Sequence, residues 1–219
     1  MTGSPGYDCF VTANDDLEIV PLTAARFPDL AALFEEGGDP KWCWCTYFRV
    51  RGRSWSNATA AGNRAELERL AGRKRADDVA PGLVAYRDGE AIGWVSLGPR
   101  EDYERLAHST VFAPLDEIPV WSIVCFVVSR RMRGRGVAAA LLEAAIAYAR
   151  DHGATMLEAY PVDASAGRVP AANAFRGALS MFERRAFRVV AVRQFNASTP
   201  VRPIVRLDLD TVQGDPAIH

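Results

Sequence analysis

Residues 119–152 hold an apolar strand, a basic turn and a helix in immediate succession. "PVWSIVCFVV" (Pro119–Val128) is bulky, β-branched and aromatic at both alternating positions, the pattern of a strand covered on both faces. Ser129–Gly136, "SRRMRGRG", then packs four arginines into six residues. From about Gly136 to His152 the apolar residues Leu141, Leu142, Ala145, Ile146 and Ala149 recur at helical spacing, and Gly153 supplies a stop. A strand that feeds a helix through a glycine-rich turn restricts the chain to α/β arrangements.

The flanking segments fit that class. Leu17–Val20 reads as a strand, followed by a helix with Thr23 as N-cap and Gly37-Gly38 as terminator. A second helix, capped by Ser56 or Asn57, runs through "SNATAAGNRAELERLAGRKR". "GLVAYRDGEAIGWVSLGP" is a hairpin about Asp88-Gly89. "REDYERLA" is one or two helical turns, "ATMLEAYPV" a strand, "ALSMFERRAF" a helix, and "RVVAVRQF" and "PIVRLDL" the last strands. The expected order is β-α-α-β-β-β-α-β-α-β-β: one α/β domain over residues 15–219, with a mixed central β-sheet flanked by helices. Residues 1–14 are expected to be a loosely ordered N-terminus, and "PVDASAGRVPAANAF" a flexible loop.

Composition narrows the partners. Lys plus Arg number 26 against 27 Asp plus Glu, a net charge of −1. A dedicated nucleic-acid binder carries a basic excess, so the arginine cluster points to a small anionic ligand instead. No basic-then-apolar leader opens the chain, and the run Pro119–Val128 is too short to span a bilayer, so the expectation is a cytoplasmic protein without a membrane partner. Cys9, Cys43, Cys45 and Cys125 are too few and too irregular for a disulfide framework. Cys43 and Cys45 have no second ligand pair at zinc spacing, so no metal is expected.

The turn itself has the parts of a phosphate grip. A helix N-terminus leaves backbone N–H groups unpaired and adds partial positive charge. Gly134 and Gly136 let a ligand approach the backbone, and Arg133 and Arg135 can add charge-assisted contacts. "GRGVAA" also satisfies the dinucleotide pattern G-x-G-x-x-A, with Glu158 about twenty residues on. Against that alternative, "SRRMR" separates the strand from the first glycine, and too little chain follows to complete a doubly wound sheet. No P-loop motif occurs.

"VVSRRMRGRGVAAALL" resembles the central motif of the GNAT acetyltransferase superfamily, R/Q-x-x-G-x-G/A at the head of a helix, read as Arg133, Gly136 and Ala138. An overlapping register, Arg131, Gly134 and Gly136, also fits. The element order from Leu17 to Leu209 and the late segment "ALSMFERRAF" extend the resemblance over nearly the whole chain. It implies a GNAT-like domain that moves an acetyl group from acetyl-CoA to an amine. The implied acetyl-CoA contacts are Phe126, Val127 and Val128 along the pantetheine arm and Arg133, Gly134, Arg135, Gly136, Val137 and Ala138 around the pyrophosphate. The implied thioester site is a cleft where the strand ending at Val128 parts from the next. Partners are then acetyl-CoA and an amine acceptor, and homodimerisation is compatible with the chain.

Some residues depart from the pattern. The late-helix tyrosine that serves as general acid in the family corresponds to Phe182, its G-F pair to Ala186-Phe187, and its asparagine to Phe175, with Asn173 nearby. A phenyl ring donates no proton, which keeps open a non-catalytic acyl-CoA-binding sensor or interaction module. Glu158 and Tyr160, two apart on one strand and so on one face, are the candidate proton acceptor and donor; the bland reading puts Glu158 in solvent and Tyr160 against the core. Cys125 reads as a small buried hydrophobe, and Ser122 as a core hydroxyl. In the aromatic loop "DPKWCWCTYFRVRGRSW", Trp42, Trp44 and Tyr47, with Phe48 and Trp55, either wall an acceptor pocket for an amine with an apolar or cationic body or plug the sheet as core.

Overall fold

A computed structural model describes residues 10–11, 17–74, 77, 79–163, 175–194 and 201–210. The expected flexible N-terminus lies outside the described residues except at 10–11, and the expected flexible loop is outside them at 164–174, Asn173 included.

In chain order the strands are β1 (Phe10–Val11), β2 (Glu18–Pro21), β3 (Gly82–Arg87), β4 (Glu90–Pro99), β5 (Trp121–Val128), β6 (Met156–Ala159), β7 (Arg188–Arg193) and β8 (Arg202–Asp208). They form one sheet ordered β1-β2-β3-β4-β5-β6-β8-β7. The β5–β6 pair is parallel and every other pair antiparallel. The helices are α1 (Phe27–Glu35), α2 (Pro40–Cys43), α3 (Gly52–Ser56), α4 (Ala60–Ala71), α5 (Glu104–Ala107), α6 (Val137–Asp151) and α7 (Leu179–Glu183). The mixed α/β domain expected from the sequence is thus present, with β1 and the short helices α2 and α3 as additions. The second long helix starts later than expected: Thr59, not Ser56 or Asn57, is the N-cap of α4, its hydroxyl accepting from the Gly62 N–H at 3.0 Å.

Two cores cover the two faces of the sheet. On one, α6 and α7 bring Leu141, Leu142, Ala145 and Phe182 onto Leu83, Val95 and Ile123. The helix runs close because Gly93 of β4 offers no side chain: a Cβ there would stand 2.8 Å from Val137 and 3.0 Å from Leu141. On the other face α1 and the aromatic loop bring Phe27, Leu30, Phe34, Trp44 and Phe48 onto Val84, Trp94 and Val124. Burying each such side chain contributes about 1.5–3 kcal/mol, so the apolar run of β5, interrupted only by Ser122, is what two covered faces demand.

Alternation along β5 breaks once. Ser96 pairs with Cys125 and the next residue, Leu97, with Ile123, leaving Val124 as an extra residue. This bulge turns Val124 and Cys125 to the same face, whereas Ile123 and Phe126 belong to the opposite core. A bulge re-aims side chains in this way beside sites, and here it delivers Cys125 to the aromatic-loop side.

Candidate active site

Beyond Ile123 the central strands part. The β5–β6 ladder ends at Ile123↔Ala159, and the chain around Phe175 enters beside β5. The Phe126 N–H donates to the Phe175 carbonyl at 2.6 Å, and the Val162 N–H to the Gly177 carbonyl at 3.0 Å. Two cavities flank this opening.

The first, about 490 Å³, is a trough lined in part by Phe126, Val127, Val128, Arg130, Arg133 and Ala138. At its end Gly134 and Gly136 hold φ of 74° and 81°, left-handed values that a Cβ disfavours. The first α6 bond runs from the Ala140 N–H to the Gly136 carbonyl at 3.0 Å. The amides of Val137, Ala138 and Ala139 therefore have no acceptor within the helix, and the positive end of a fifteen-residue helix faces outward there. The Val137 side chain is buried against Gly93, so only its backbone is available. Arg133 and Arg135 are exposed; the Arg133 Nε donates to the Val128 carbonyl at 3.4 Å. Arg131 instead pairs with Glu90 at the surface. A negative group also stands in this wall, Glu36, which the Ser129 hydroxyl binds at 2.9 Å. The αL glycine turn, open amides and arginine pair suit an anionic chain lying along β5. One expected contact is already engaged, since the Phe126 amide is taken by Phe175.

The second cavity, about 530 Å³, opens on the aromatic-loop side. Trp42, Tyr47, Phe48 and Trp55 wall it, and Cys43, Cys45, Cys125, Arg176 and Arg202 also line it. Trp42 and Tyr47 meet Trp55 edge-on at 4.9 Å and 5.1 Å. Trp44, expected in this wall, is in the core: it is 3 % exposed and packs on Phe27 and Phe34. The cause is local. After α2 the chain takes φ of 47° at Trp44 and 52° at Cys45, which turns Trp44 inward. The two cavities share Asp39, Pro40, Val127 and Phe175, so they adjoin one another along β5.

Glu158 and Tyr160 share the face of the second cavity but line neither cavity. Glu158, 1 % exposed, accepts from the Arg100 Nη1 at 2.7 Å and the Arg206 Nε at 2.8 Å. The Tyr160 hydroxyl donates to Glu158 at 2.7 Å, receives Arg100 at 2.5 Å, and lies 3.1 Å from the Ser122 Oγ. Burial, then the Glu158 charge, pushes the Tyr160 phenol well above its usual range. Phe182 is fully buried and packs edge-on to Phe126 at 6.1 Å.

The sequence reading missed the sulfur pair. The Cys45 and Cys125 Sγ atoms lie 2.8 Å apart. Burial and the Cys125 contact raise the Cys45 thiol pKa, and hydrogen bonding to Cys45 followed by burial raises that of Cys43. Eighty residues separate the partners, and no local spacing signals the contact. Arg176, Arg202 and Asp39 were missed for the same reason. Among the described residues no group of His, Cys, Asp or Glu is placed to hold a metal ion, and no helix is long and apolar enough to cross a membrane.

Comparison with known proteins gives a consistent result. Residues 41–176 match the model of the acetyltransferase (GNAT) family. The fold resembles a GNAT-family acetyltransferase from Streptococcus pneumoniae (14 % identity, 88 % of this chain and 99 % of that one, TM-score 0.53). It also resembles yncA from Salmonella typhimurium with its cofactor acetyl-CoA (16 %, 93 % and 99 %, 0.52). A third similar structure is the polyamine N-acetyltransferase of Drosophila melanogaster (13 %, 88 % and 100 %, 0.54). A search of curated protein sequences finds no match. With the family model spanning more than half of its residues, the chain belongs to the GNAT acetyltransferase family.

Proposed function

We propose that the protein is an acetyl-CoA-dependent N-acetyltransferase acting on a primary amine of a small molecule or protein. The observation that carries this reading is the meeting of the two cavities on Asp39, Pro40, Val127 and Phe175. One is fitted to a phosphorylated, extended cofactor and the other to an acceptor, and they join where β5 loses its parallel neighbour. Bound acetyl-CoA would supply a thioester whose carbonyl carbon bonds to the amine nitrogen as the C–S bond breaks, the amine proton leaving for the thiolate.

The residues divide the work. The amides at the head of α6, with Arg133 and Arg135, hold the pyrophosphate. The stretch of β5 that lines the trough at Val127 and Val128 aligns the pantetheine arm. Trp42, Tyr47 and Trp55 exclude water from the acceptor. Among the described residues Asp39 is the one carboxylate lining both cavities, so it can draw the ammonium group in and accept its proton. In this reading Glu158 and Tyr160 fix the sheet beneath the cleft, since both carboxylate oxygens are engaged by guanidinium groups.

Titration calorimetry with acetyl-CoA, then thioester loss across an amine panel, tests the proposal. Binding with amine-dependent turnover is expected; absence of acetyl-CoA binding refutes it. The replacement of the family's tyrosine by Phe182 favours a second reading, an acyl-CoA sensor without turnover. Binding of acetyl-CoA with no amine-dependent loss would select it.

A further inference from the structure

Arg176 is unusual within the acceptor cavity. Its Nε and Nη1 are both buried, and neither has a hydrogen-bond partner. Other arginines among the described residues leave at most one buried nitrogen so. Its guanidinium carbon sits over the Phe112 and Phe175 rings at 5.2 Å each and over Phe48 at 5.6 Å. Ring faces attract the cation but leave its N–H donors unsatisfied. Burial, then the neighbouring Arg202 charge, pushes its pKa down to about 10, so it stays cationic at neutral pH. Two buried guanidinium N–H groups with no acidic partner among the described residues are costly, and an anion that brings its own lone pairs would satisfy them.

The rest of the lining specifies the remainder of that ligand. Trp42, Tyr47 and Trp55 present a ring-lined wall suited to a flat apolar body. Asp39 stands where this cavity meets the trough and suits an ammonium group. A volume of about 530 Å³ is that of a small-molecule site. We propose that the acceptor is an aromatic amino carboxylate, a molecule the size of one amino acid, whose carboxylate binds Arg176, whose ring stacks in the tryptophan wall and whose amine faces Asp39. The word acceptor rests on the acetyltransferase reading; the anion subsite at Arg176 does not.

The test separates the two. Titration calorimetry on the full chain compares 3-phenylpropionate with 3-phenylpropionamide, which differ only in the charged group, without acetyl-CoA. The carboxylate is expected to bind at least about tenfold more tightly, the effect of one charge-assisted contact. Arg176→Met, which keeps the bulk over the rings, abolishes the preference, and Arg176→Lys retains part of it; thermal unfolding verifies that each variant folds. Phenylalanine is then acetylated with a kcat/KM at least about tenfold above that of phenethylamine. Equal binding of acid and amide, binding of neither, or a preference that survives both substitutions overturns the inference. Carboxylate preference in a protein that fails to bind acetyl-CoA would overturn the acetyltransferase reading and leave the anion subsite standing.

Discussion

Replacing Glu158 by glutamine separates a structural from a catalytic carboxylate. Glu158 is 1 % exposed and is gripped by Arg100 at 2.7 Å and Arg206 at 2.8 Å. Glutamine keeps the shape and one acceptor oxygen but removes the charge. Removing one partner of a buried ion pair costs roughly 3–5 kcal/mol, because the remaining charge is left uncompensated. Arg206 would still have Asp116 at 2.6 Å, whereas Arg100, among the described residues, would face no carboxylate and keep the neutral amide oxygen, Tyr160 and the Leu106 and Phe112 carbonyls. The lower end, about 3 kcal/mol, is therefore expected. For a chain of this size that lowers Tm by roughly 6–12 °C, measured by scanning calorimetry. Acetyl-CoA affinity is expected to change less than about threefold, since Glu158 lines neither cavity. An unchanged Tm with abolished turnover would refute the structural assignment and make Glu158 the proton acceptor.

Three further outcomes follow from the packing and the titrating groups. Gly93→Ala places a methyl 2.8 Å from Val137; it should push α6 off the sheet, cost about 1–3 kcal/mol in chemical denaturation, and weaken acetyl-CoA binding through the displaced helix head. Burial raises the pKa of both Tyr103 and Tyr160 in the folded protein. Their stabilising effect is complete below the unfolded phenol value of about 10 and is lost as pH climbs from there toward the raised folded values; urea midpoints that rise over that alkaline window would contradict this. Cys43 and Cys45 have raised thiol pKa values, so iodoacetamide at mildly alkaline pH should spare both in the native protein and modify both in urea, as read by peptide mass mapping.

The fold was legible because its main signals are local. The apolar run of β5, the glycine turn and the helical spacing of Leu141, Leu142 and Ala145 each lie within a few residues, and each has one physical solution. The same locality located the trough: strand end, αL glycines and helix head are consecutive in the chain. The acceptor side was only half legible. Trp42, Tyr47, Phe48 and Trp55 gave compositional notice of a pocket, but Trp44 could not be told from its neighbours. Its inward turn depends on two left-handed residues, neither of them glycine.

What the sequence by itself determined is thus the α/β sheet, the helix that follows the arginine-glycine turn, and the family to which both belong. Tertiary structure alone decided three things. A one-residue bulge at Val124 set Cys125 beside Cys45. Arg100 and Arg206, 58 and 48 residues from Glu158, committed its carboxylate to the sheet. Arg176 came to rest over three rings, two of them from distant segments. Each is a contact between groups far apart in the chain, and hydrophobic spacing carries no information about which distant polar groups will meet once the faces are buried.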